Sequence, residues 1–199
     1  MNSDFSAAKG CVRHGERADG LFADDCVKRY VFECIRTGIC KKDMKLLFKQ
    51  RFFSWLDSYD VYHEDGTVAY TVKGQLSWGH CLRIFDPAGN YVGTVKERVF
   101  AWLPKFELYL GEKYAGMVCK KWSWFRPKYL FECNDWSVEG DFFEWDYTIV
   151  SASRGTVAVI GKELLNWTDT YSLDIKDPAD ALLVLMFTLA IDAEKCSRN

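Results

Sequence analysis

Residues 177–191 read DPADALLVLMFTLAI, and this segment constrains the fold more than any other. Asp177 suits an N-cap and Pro178 the first helical position, so a helix is predicted over residues 179–195. This helix is apolar on nearly every face, which is typical of a helix buried on all sides or placed in a membrane. The apolar run Ala181 to Ile191 would span roughly 16 Å, against about 30 Å of bilayer hydrocarbon. The stretch therefore predicts a helix in the centre of a protein core.

An internal repeat precedes this helix. An apolar residue, a spacer and a Trp recur six times, and the Trp residues are separated by 23, 24, 22, 21 and 22 positions. Such regular spacing of a rare residue indicates a repeated structural unit. The six copies are Phe53-Ser54-Trp55, Leu76-Ser77-Trp78, Phe100-Ala101-Trp102, Trp122-Ser123-Trp124, Phe143-Glu144-Trp145 and Leu165-Asn166-Trp167.

Each repeat predicts two antiparallel strands. An apolar residue lies six or seven positions before each Trp, a short alternating segment follows the Trp, and turn residues such as Glu64-Asp65-Gly66 close most units. Twelve strands in a meander can close into a barrel that encloses one helix. The sequence thus predicts a mainly β fold, a 12-stranded antiparallel closed barrel threaded by the buried hydrophobic C-terminal helix. The apolar residues that precede each Trp are Phe48, Val72, Val95, Val118, Val138 and Ile160.

The chain changes character at Met44. Residues 1–43 are low in aromatic residues and carry four of the eight cysteines. Asp24 to Thr37 has apolar residues at helical spacing, but a single helix has no core of its own. We therefore predict an N-terminal extension over residues 1–43, either one short helix or disordered, and a barrel domain over residues 44–197.

Composition excludes several classes of protein. The 26 Lys and Arg nearly balance the 28 Asp and Glu, so no global basic field exists to gather nucleic acid. Residues 1–10 lack the pattern of a signal peptide, and the eight cysteines contain no C-x-x-C pair, which favours reduced thiols and a cytoplasmic location. Cys11 with His14 and Cys34 with Cys40 are an alternative zinc set, but no second paired motif supports them.

The inventory of catalytic residues is thin, since the sequence has no G-x-S-x-G, P-loop or G-x-G-x-x-G motif. His63 and His80 are expected in loops. His80 and Cys81 are adjacent, so their side chains point to opposite faces of a strand and do not form a dyad. We therefore expect no enzyme, no cofactor and no metal site.

Two groups of carboxylates leave alternatives open. The first group is near Trp145, where acids at strand ends would bind a cation or act as acid and base, although a solvated rim explains them as well. The second group precedes the helix, where calcium is the alternative to helix capping. The two groups are Asp141, Glu144 and Asp146, and Asp174, Asp177 and Asp180.

The most suggestive surface feature is the segment KKWSWFRPK over residues 120–128. Cations attract phosphate head groups, and Trp suits the wet edge of a bilayer. Single-stranded nucleic acid would use the same residue types, but one short patch on a nearly neutral protein argues against it. The alternative is that the two Trp pack within the repeat between solvated lysines. The candidate residues for binding a phosphate or lipid head group are Lys120, Lys121, Trp122, Trp124, Arg126 and Lys128.

Several stretches together carry a family resemblance over residues 44–197. They are the segment MKLLFKQRFFSW at 44–55, the Trp repeats, VEGDF at 138–142, and the Asp-Pro-x-Asp helix with LAID at 189–192. This pattern resembles the LURP-one-related family, in the tubby C-terminal-like superfamily that also includes phospholipid scramblases. The resemblance implies a 12-stranded barrel around a buried helix, and residues 1–43 have no counterpart in it.

The resemblance also shapes the functional expectation. Tubby proteins bind phosphoinositides through basic residues on the barrel surface, and that site is not carried over to individual residues of this sequence. We expect a non-enzymatic cytoplasmic binding module or scaffold, peripheral at the membrane, that contacts anionic phospholipid head groups, with no nucleic acid partner and no transmembrane span. The alternative is an interaction or structural protein with a protein partner and no small ligand. An enzyme with a site at the barrel rim is the least favoured interpretation.

Overall fold

The structure is a computed structural model that describes residues 43–49, 58–75, 77–121, 128–132, 134–141, 146–165 and 168–196. The chain divides into two units, residues 1–37 and 38–199, and all the described residues lie in the second. The predicted extension, apart from Asp43, lies outside the described residues, and so does the alternative zinc set of cysteines and His14.

Twelve strands follow one another along the described chain. Most are short, as the alternation of apolar and polar residues predicts for strands with one buried face. They are β1 (Met44–Lys49), β2 (Ser58–His63), β3 (Val68–Gly74), β4 (Cys81–Phe85), β5 (Tyr91–Glu97), β6 (Lys105–Leu110), β7 (Lys113–Lys121), β8 (Lys128–Glu132), β9 (Trp136–Asp141), β10 (Asp146–Ser151), β11 (Gly155–Leu165) and β12 (Thr168–Ile175).

The strands form one antiparallel sheet that curls into a nearly closed barrel. Its order is β8-β7-β6-β5-β4-β3-β2-β1-β12-β11-β10-β9, so β1 pairs with β12, with Met44 opposite Ile175. Within the described residues, no backbone ladder joins β8 to β9. Aromatic rings cover this seam instead, since Phe131 of β8 stacks on Trp136 of β9 with ring centroids 5.4 Å apart. The predicted 12-stranded barrel is confirmed, with one seam held by side chains.

The helix predicted from residues 177–191 is also confirmed. A 3₁₀ turn over Pro178–Asp180 leads into α1 (Ala181–Cys196), and an Asp177 carboxylate oxygen accepts a hydrogen bond from the N–H of Ala179 at 3.2 Å. Leu185 and Leu189 are fully buried, and Phe187 contacts Phe131 at 5.2 Å between centroids. The apolar pattern on nearly every face predicts that Leu183 is inaccessible too, but Leu183 is only half-buried, as is Leu182, so this side of the helix packs at the margin of the core.

A glycine lets the helix approach the sheet. Gly93 of β5 is buried, and a Cβ at this position would lie 2.0 Å from Cε of Met186 and 2.7 Å from the carbonyl oxygen of Tyr109. The apolar residues that precede each Trp in the repeat point to the same core, and all but the half-buried Val138 are fully buried. The core therefore lies between the inner faces of the strands and the helix.

The two ends of the barrel differ in sequence. Consecutive strands are antiparallel, so every odd-numbered strand ends at the same side, and a Trp of the repeat follows each of them along the chain. We call this side the Trp-bearing end. The turns at the opposite end are rich in Gly, Asp and Asn, and α1 starts there, where Arg154 pairs with Asp180 at 2.9 Å. The C-terminus of α1 thus points toward the Trp-bearing end.

Candidate functional site

The segment 120–128 lies at the corner of two strands, as predicted. Lys121 ends β7, Lys128 begins β8, and the two residues are paired in the backbone ladder at the Trp-bearing end. Trp122, Trp124 and Arg126 lie outside the described residues. The assignment of a head-group site to this segment therefore stays a prediction.

Lys120 forms a buried ion pair, unlike a lysine that is available to bind a ligand. Its Nζ lies 2.8 Å from Oε1 of Glu194, and only 10% of its side chain is exposed. Glu194 is 1% exposed and also accepts a hydrogen bond from the Tyr129 hydroxyl at 2.6 Å. Burial raises the pKa of Glu194, and the hydrogen bond from Tyr129 acts in the opposite direction. Lys120 therefore holds the last turns of α1 to β7 and balances a buried carboxylate.

Four apolar side chains project from the Trp-bearing end, and we call them the rim cluster. They lie in the connections from β3 to β4 and from β5 to β6. Trp is on average highly buried in folded proteins, but the Trp of the repeat is almost fully exposed at both positions that the structure describes. The exposed fractions are 86% for Trp78, 44% for Val99, 96% for Phe100 and 98% for Trp102.

The base of the rim cluster is held by close contacts between the two connections. Gly79 has a φ of 97°, and a Cβ there would lie 2.6 Å from Cγ2 of Val99, so only glycine fits. The N–H of Glu97 donates to the carbonyl of His80 at 2.7 Å, and the Glu97 carboxylate accepts from the N–H of His80 at 3.0 Å. The exposed rings thus extend from a fixed base.

Three cations lie on the outer wall of the same strands, and we call them the basic strip. Lys73 of β3 is directly opposite Arg83 of β4, and Lys96 of β5 lies diagonally beyond Arg83. Like charges in such positions repel each other. Lys73 lies over the ring of Phe85 at 4.8 Å and Arg83 over that of Tyr91 at 4.6 Å, contacts that leave the positive charges in place.

The charges around the basic strip are mixed, with a small excess of positive charge. Two carboxylates face outward on the flanking strands: Asp60 accepts a hydrogen bond from Thr71 at 2.7 Å, and Glu107, directly opposite Lys96, accepts one from Tyr109 at 2.8 Å. A third carboxylate, Glu97, ends β5 and accepts from the N–H of His80. None of the three cations forms an ion pair with a carboxylate of the described residues. Arg98, exposed next to the rim cluster, adds a fourth positive charge. Sequence reasoning missed the strip because its members are about ten residues apart.

The histidines are not brought together. His63 ends β2 at the end opposite the Trp-bearing end, whereas His80 precedes β4. Burial lowers the pKa of His80, whose Nε2 lies 3.5 Å from a carboxylate oxygen of Glu97. The thiol of Cys81 is directed instead to the amide oxygen of Gln75 at 3.9 Å, and burial raises its pKa. His80 and Cys81 thus make separate contacts.

The two predicted carboxylate groups differ in their surroundings. Asp177 caps the helix and Asp180 pairs with Arg154. Asp146 is exposed and directly opposite Asp141 in the β9–β10 ladder, while Glu144 is outside the described residues. Across the parts of the chain that the structure describes, no three His, Cys, Asp or Glu residues are grouped so as to hold a metal ion. In the same parts, no helix has the length and apolar character needed to cross a membrane.

Comparison with known proteins agrees with this fold. Residues 44–192 match the LURP-one-related family. The chain is 26% identical over 150 residues to a Bacillus subtilis protein described as "Uncharacterized protein YxjI", a match that covers 75% of this chain and 92% of that protein. A crystal structure of an Arabidopsis thaliana protein superimposes with a TM-score of 0.55 at 13% identity, over 78% of this chain and 93% of the other. The chain therefore belongs to the LURP-one-related family.

Proposed function

We propose that this protein is a non-enzymatic binding module of the tubby-like class that contacts the anionic phospholipid head groups of a membrane surface. The basic strip carries the proposal: Lys73, Arg83 and Lys96 lie side by side on the outer wall and form no ion pair with a carboxylate of the described residues. Lys73 and Arg83 are like charges placed directly opposite each other, which costs stability, so an anionic ligand explains this pair better than folding does.

The position of the strip supports a flat ligand. The cations lie on the outside of β3, β4 and β5, and the rim cluster extends beyond the ends of the same strands. A surface of head groups can meet several separated cations at once. The net charge of −2 means that attraction depends on this local arrangement and not on the whole chain.

Co-sedimentation with vesicles tests the proposal. The wild-type protein should bind vesicles that contain phosphatidylserine and ignore phosphatidylcholine vesicles at low ionic strength. Each cation near an anionic surface contributes about 1 kcal/mol, so replacing Lys73, Arg83 and Lys96 with Gln should cost about 3 kcal/mol, roughly a hundredfold in partitioning. The loss should shrink with added salt, because exposed charges are screened beyond about 10 Å at 0.1 M.

A matched control separates the strip from net charge. Lys113, Lys162 and Lys176 are exposed on other strands and turns, and replacing all three with Gln changes the charge by the same amount. This control should bind as the wild type does, and an equal loss would contradict the assignment to the strip. A wild-type protein that ignores anionic vesicles at low salt would overturn the proposal and favour a scaffold that binds a protein.

The segment 120–128 has its own test. Lys121, Arg126 and Lys128 are replaced with Gln, and Lys120 is left in place because it balances Glu194. The sequence-based hypothesis predicts a loss of vesicle binding in this variant as well. Unchanged binding would assign the head-group contact to the outer wall of β3 to β5 alone.

A further inference from the structure

We propose that the rim cluster enters the boundary between head groups and acyl chains, so that the protein is anchored by inserted aromatic rings as well as by charge. This inference rests on the proposed membrane contact and adds its depth and orientation. The barrel would stand with its Trp-bearing end toward the bilayer, tilted so that the basic strip meets the head groups.

The exposure of the rim cluster is the first argument. Trp78, Phe100 and Trp102 are each at least 86% exposed, although each is large enough to dominate a core or an interface. Single exposed apolar residues are ordinary, but three large rings in two connections at the same end of a barrel are typical of an interaction surface. These three rings bury very little area in the folded barrel, so they are available for burial against a partner outside it.

The rigid base of the cluster is the second argument. Gly79 fits against Val99, and Glu97 and His80 exchange two hydrogen bonds below the rings. The N–H of Lys120 donates to the carbonyl of Pro104 at 3.1 Å, which ties the β5–β6 connection to β7. Because the backbone below the rings is already held, insertion orders the ring side chains but no loop.

Charge complementarity identifies the occupant. Four cations lie beside and below the rings: Lys73, Arg83, Lys96 and Arg98. An anionic bilayer has the matching order of groups, because its apolar acyl chains lie inside and its negative head groups lie outside. Trp is the residue type that prefers this boundary, because its ring is apolar and its N–H is polar. The surface therefore fits a lipid bilayer whose head groups are anionic.

Trp fluorescence with brominated lipids tests insertion. When the wild-type protein is bound to phosphatidylserine vesicles, lipids brominated near the top of the acyl chain should quench its Trp fluorescence. The variant Trp78→Phe with Trp102→Phe keeps apolar rings but removes these two fluorophores, so it should sediment as the wild type does and lose the quenched component. Quenching that is equal in the two proteins would overturn insertion.

The energetic role of the rings is tested at high salt. Replacing Trp78, Phe100 and Trp102 with Ser should reduce vesicle partitioning at least tenfold at an ionic strength where the charge contribution is screened. The matched control is Tyr114→Ser, because Tyr114 is 52% exposed at the opposite end of the barrel, and it should have no effect. Equal losses in both variants would contradict the proposed orientation.

The outcomes separate this inference from the proposed function. If the protein sediments with anionic vesicles but the fluorescence of Trp78 and Trp102 is not quenched, the proposed function stands and insertion is contradicted. If the protein sediments with no vesicle, both the proposed function and insertion are contradicted. A dimer that forms without lipid and dissociates in the triple Ser variant would assign the rim cluster to a second copy of this chain.

Discussion

Replacing Asp192 with Asn should stabilise the protein at neutral and higher pH. Asp192 lies in α1 near its C-terminus, and its Oδ1 is buried and makes no hydrogen bond within the described residues. Burial raises the pKa of Asp192 from 3.8 to about 7, and the neighbouring Lys195 only partly opposes this shift. The carboxylate is thus a charge that the folded state resists, and Asn has nearly the same shape without that charge.

The size and sign of the effect follow from the pKa. In the unfolded chain the Asp192 carboxyl loses its proton near pH 4, whereas in the folded state it keeps the proton until about pH 7. The folded state therefore binds more protons in this window, and the free energy of unfolding falls as the pH rises through it. A difference of about three pKa units corresponds to roughly 4 kcal/mol in the free energy of unfolding, and this contribution to stability is fully lost above pH 7.

Urea unfolding at a series of pH values measures this change. The Asn variant and the wild type should have similar free energies of unfolding at pH 4, and the variant should be more stable by about 3 to 4 kcal/mol at pH 8. With a slope near 2 kcal/mol per molar urea, the midpoint would rise by about 2 M. The raised pKa of Glu194 contributes to both proteins and cancels in the difference.

The control for this prediction is Glu112→Gln. Glu112 is an exposed carboxylate in the turn between β6 and β7, so its removal should leave the midpoint unchanged at every pH. A difference between Asp192→Asn and the wild type that stays constant from pH 4 to pH 8 would refute the argument. A variant that is less stable at pH 8 would refute it too.

Three further changes test the core and its contacts. Leu185→Asp should prevent folding, because it places an unpaired charge at a fully buried position at a cost of several kcal/mol; a soluble variant with an unchanged melting temperature would contradict the threaded barrel. Gly93→Ala should lower stability by about 1 to 3 kcal/mol in thermal unfolding, whereas Gly161→Ala, whose Cβ would meet nothing closer than 3.6 Å, should have little effect. Lys120→Met should cost about 3 to 5 kcal/mol in urea unfolding by leaving Glu194 without its cation, and adding Glu194→Gln should recover part of that loss; equal midpoints for the single and double variants would contradict a buried ion pair.

Much of the fold could be predicted from the sequence because its signals are local. The Trp spacing counts the hairpins, the alternation around Val72 and Val95 defines the inner face, and Asp177 with Pro178 marks the start of the helix. Each of these signals depends on a few neighbouring residues. The seam between β8 and β9 had no such signal, since a missing ladder depends on how far the last strands curl around the barrel.

The candidate site was less predictable because it depends on contacts across strands. A dense segment such as residues 120–128 is visible along the chain, whereas Lys73, Arg83 and Lys96 become neighbours only through the register of three strands. The ion pair of Lys120 with Glu194 joins residues far apart in sequence, which no spacing rule indicates. The exposure of Trp102 was also unforeseen, because a repeated Trp usually marks a packed position.

The position of α1 at the end of the described chain has a consequence for folding. Neighbouring strands form hairpins whose contacts are local, but the ladder between β1 and β12 pairs Met44 with Ile175 and forms only after nearly all strands exist. Synthesis proceeds from the N-terminus, so the apolar inner faces of the first strands have no helix to cover them until α1 is made. Joining β1 to β12 and enclosing α1 therefore belong to one late step, and a nascent chain stopped before Ala181 would expose the whole interior of the barrel to aggregation.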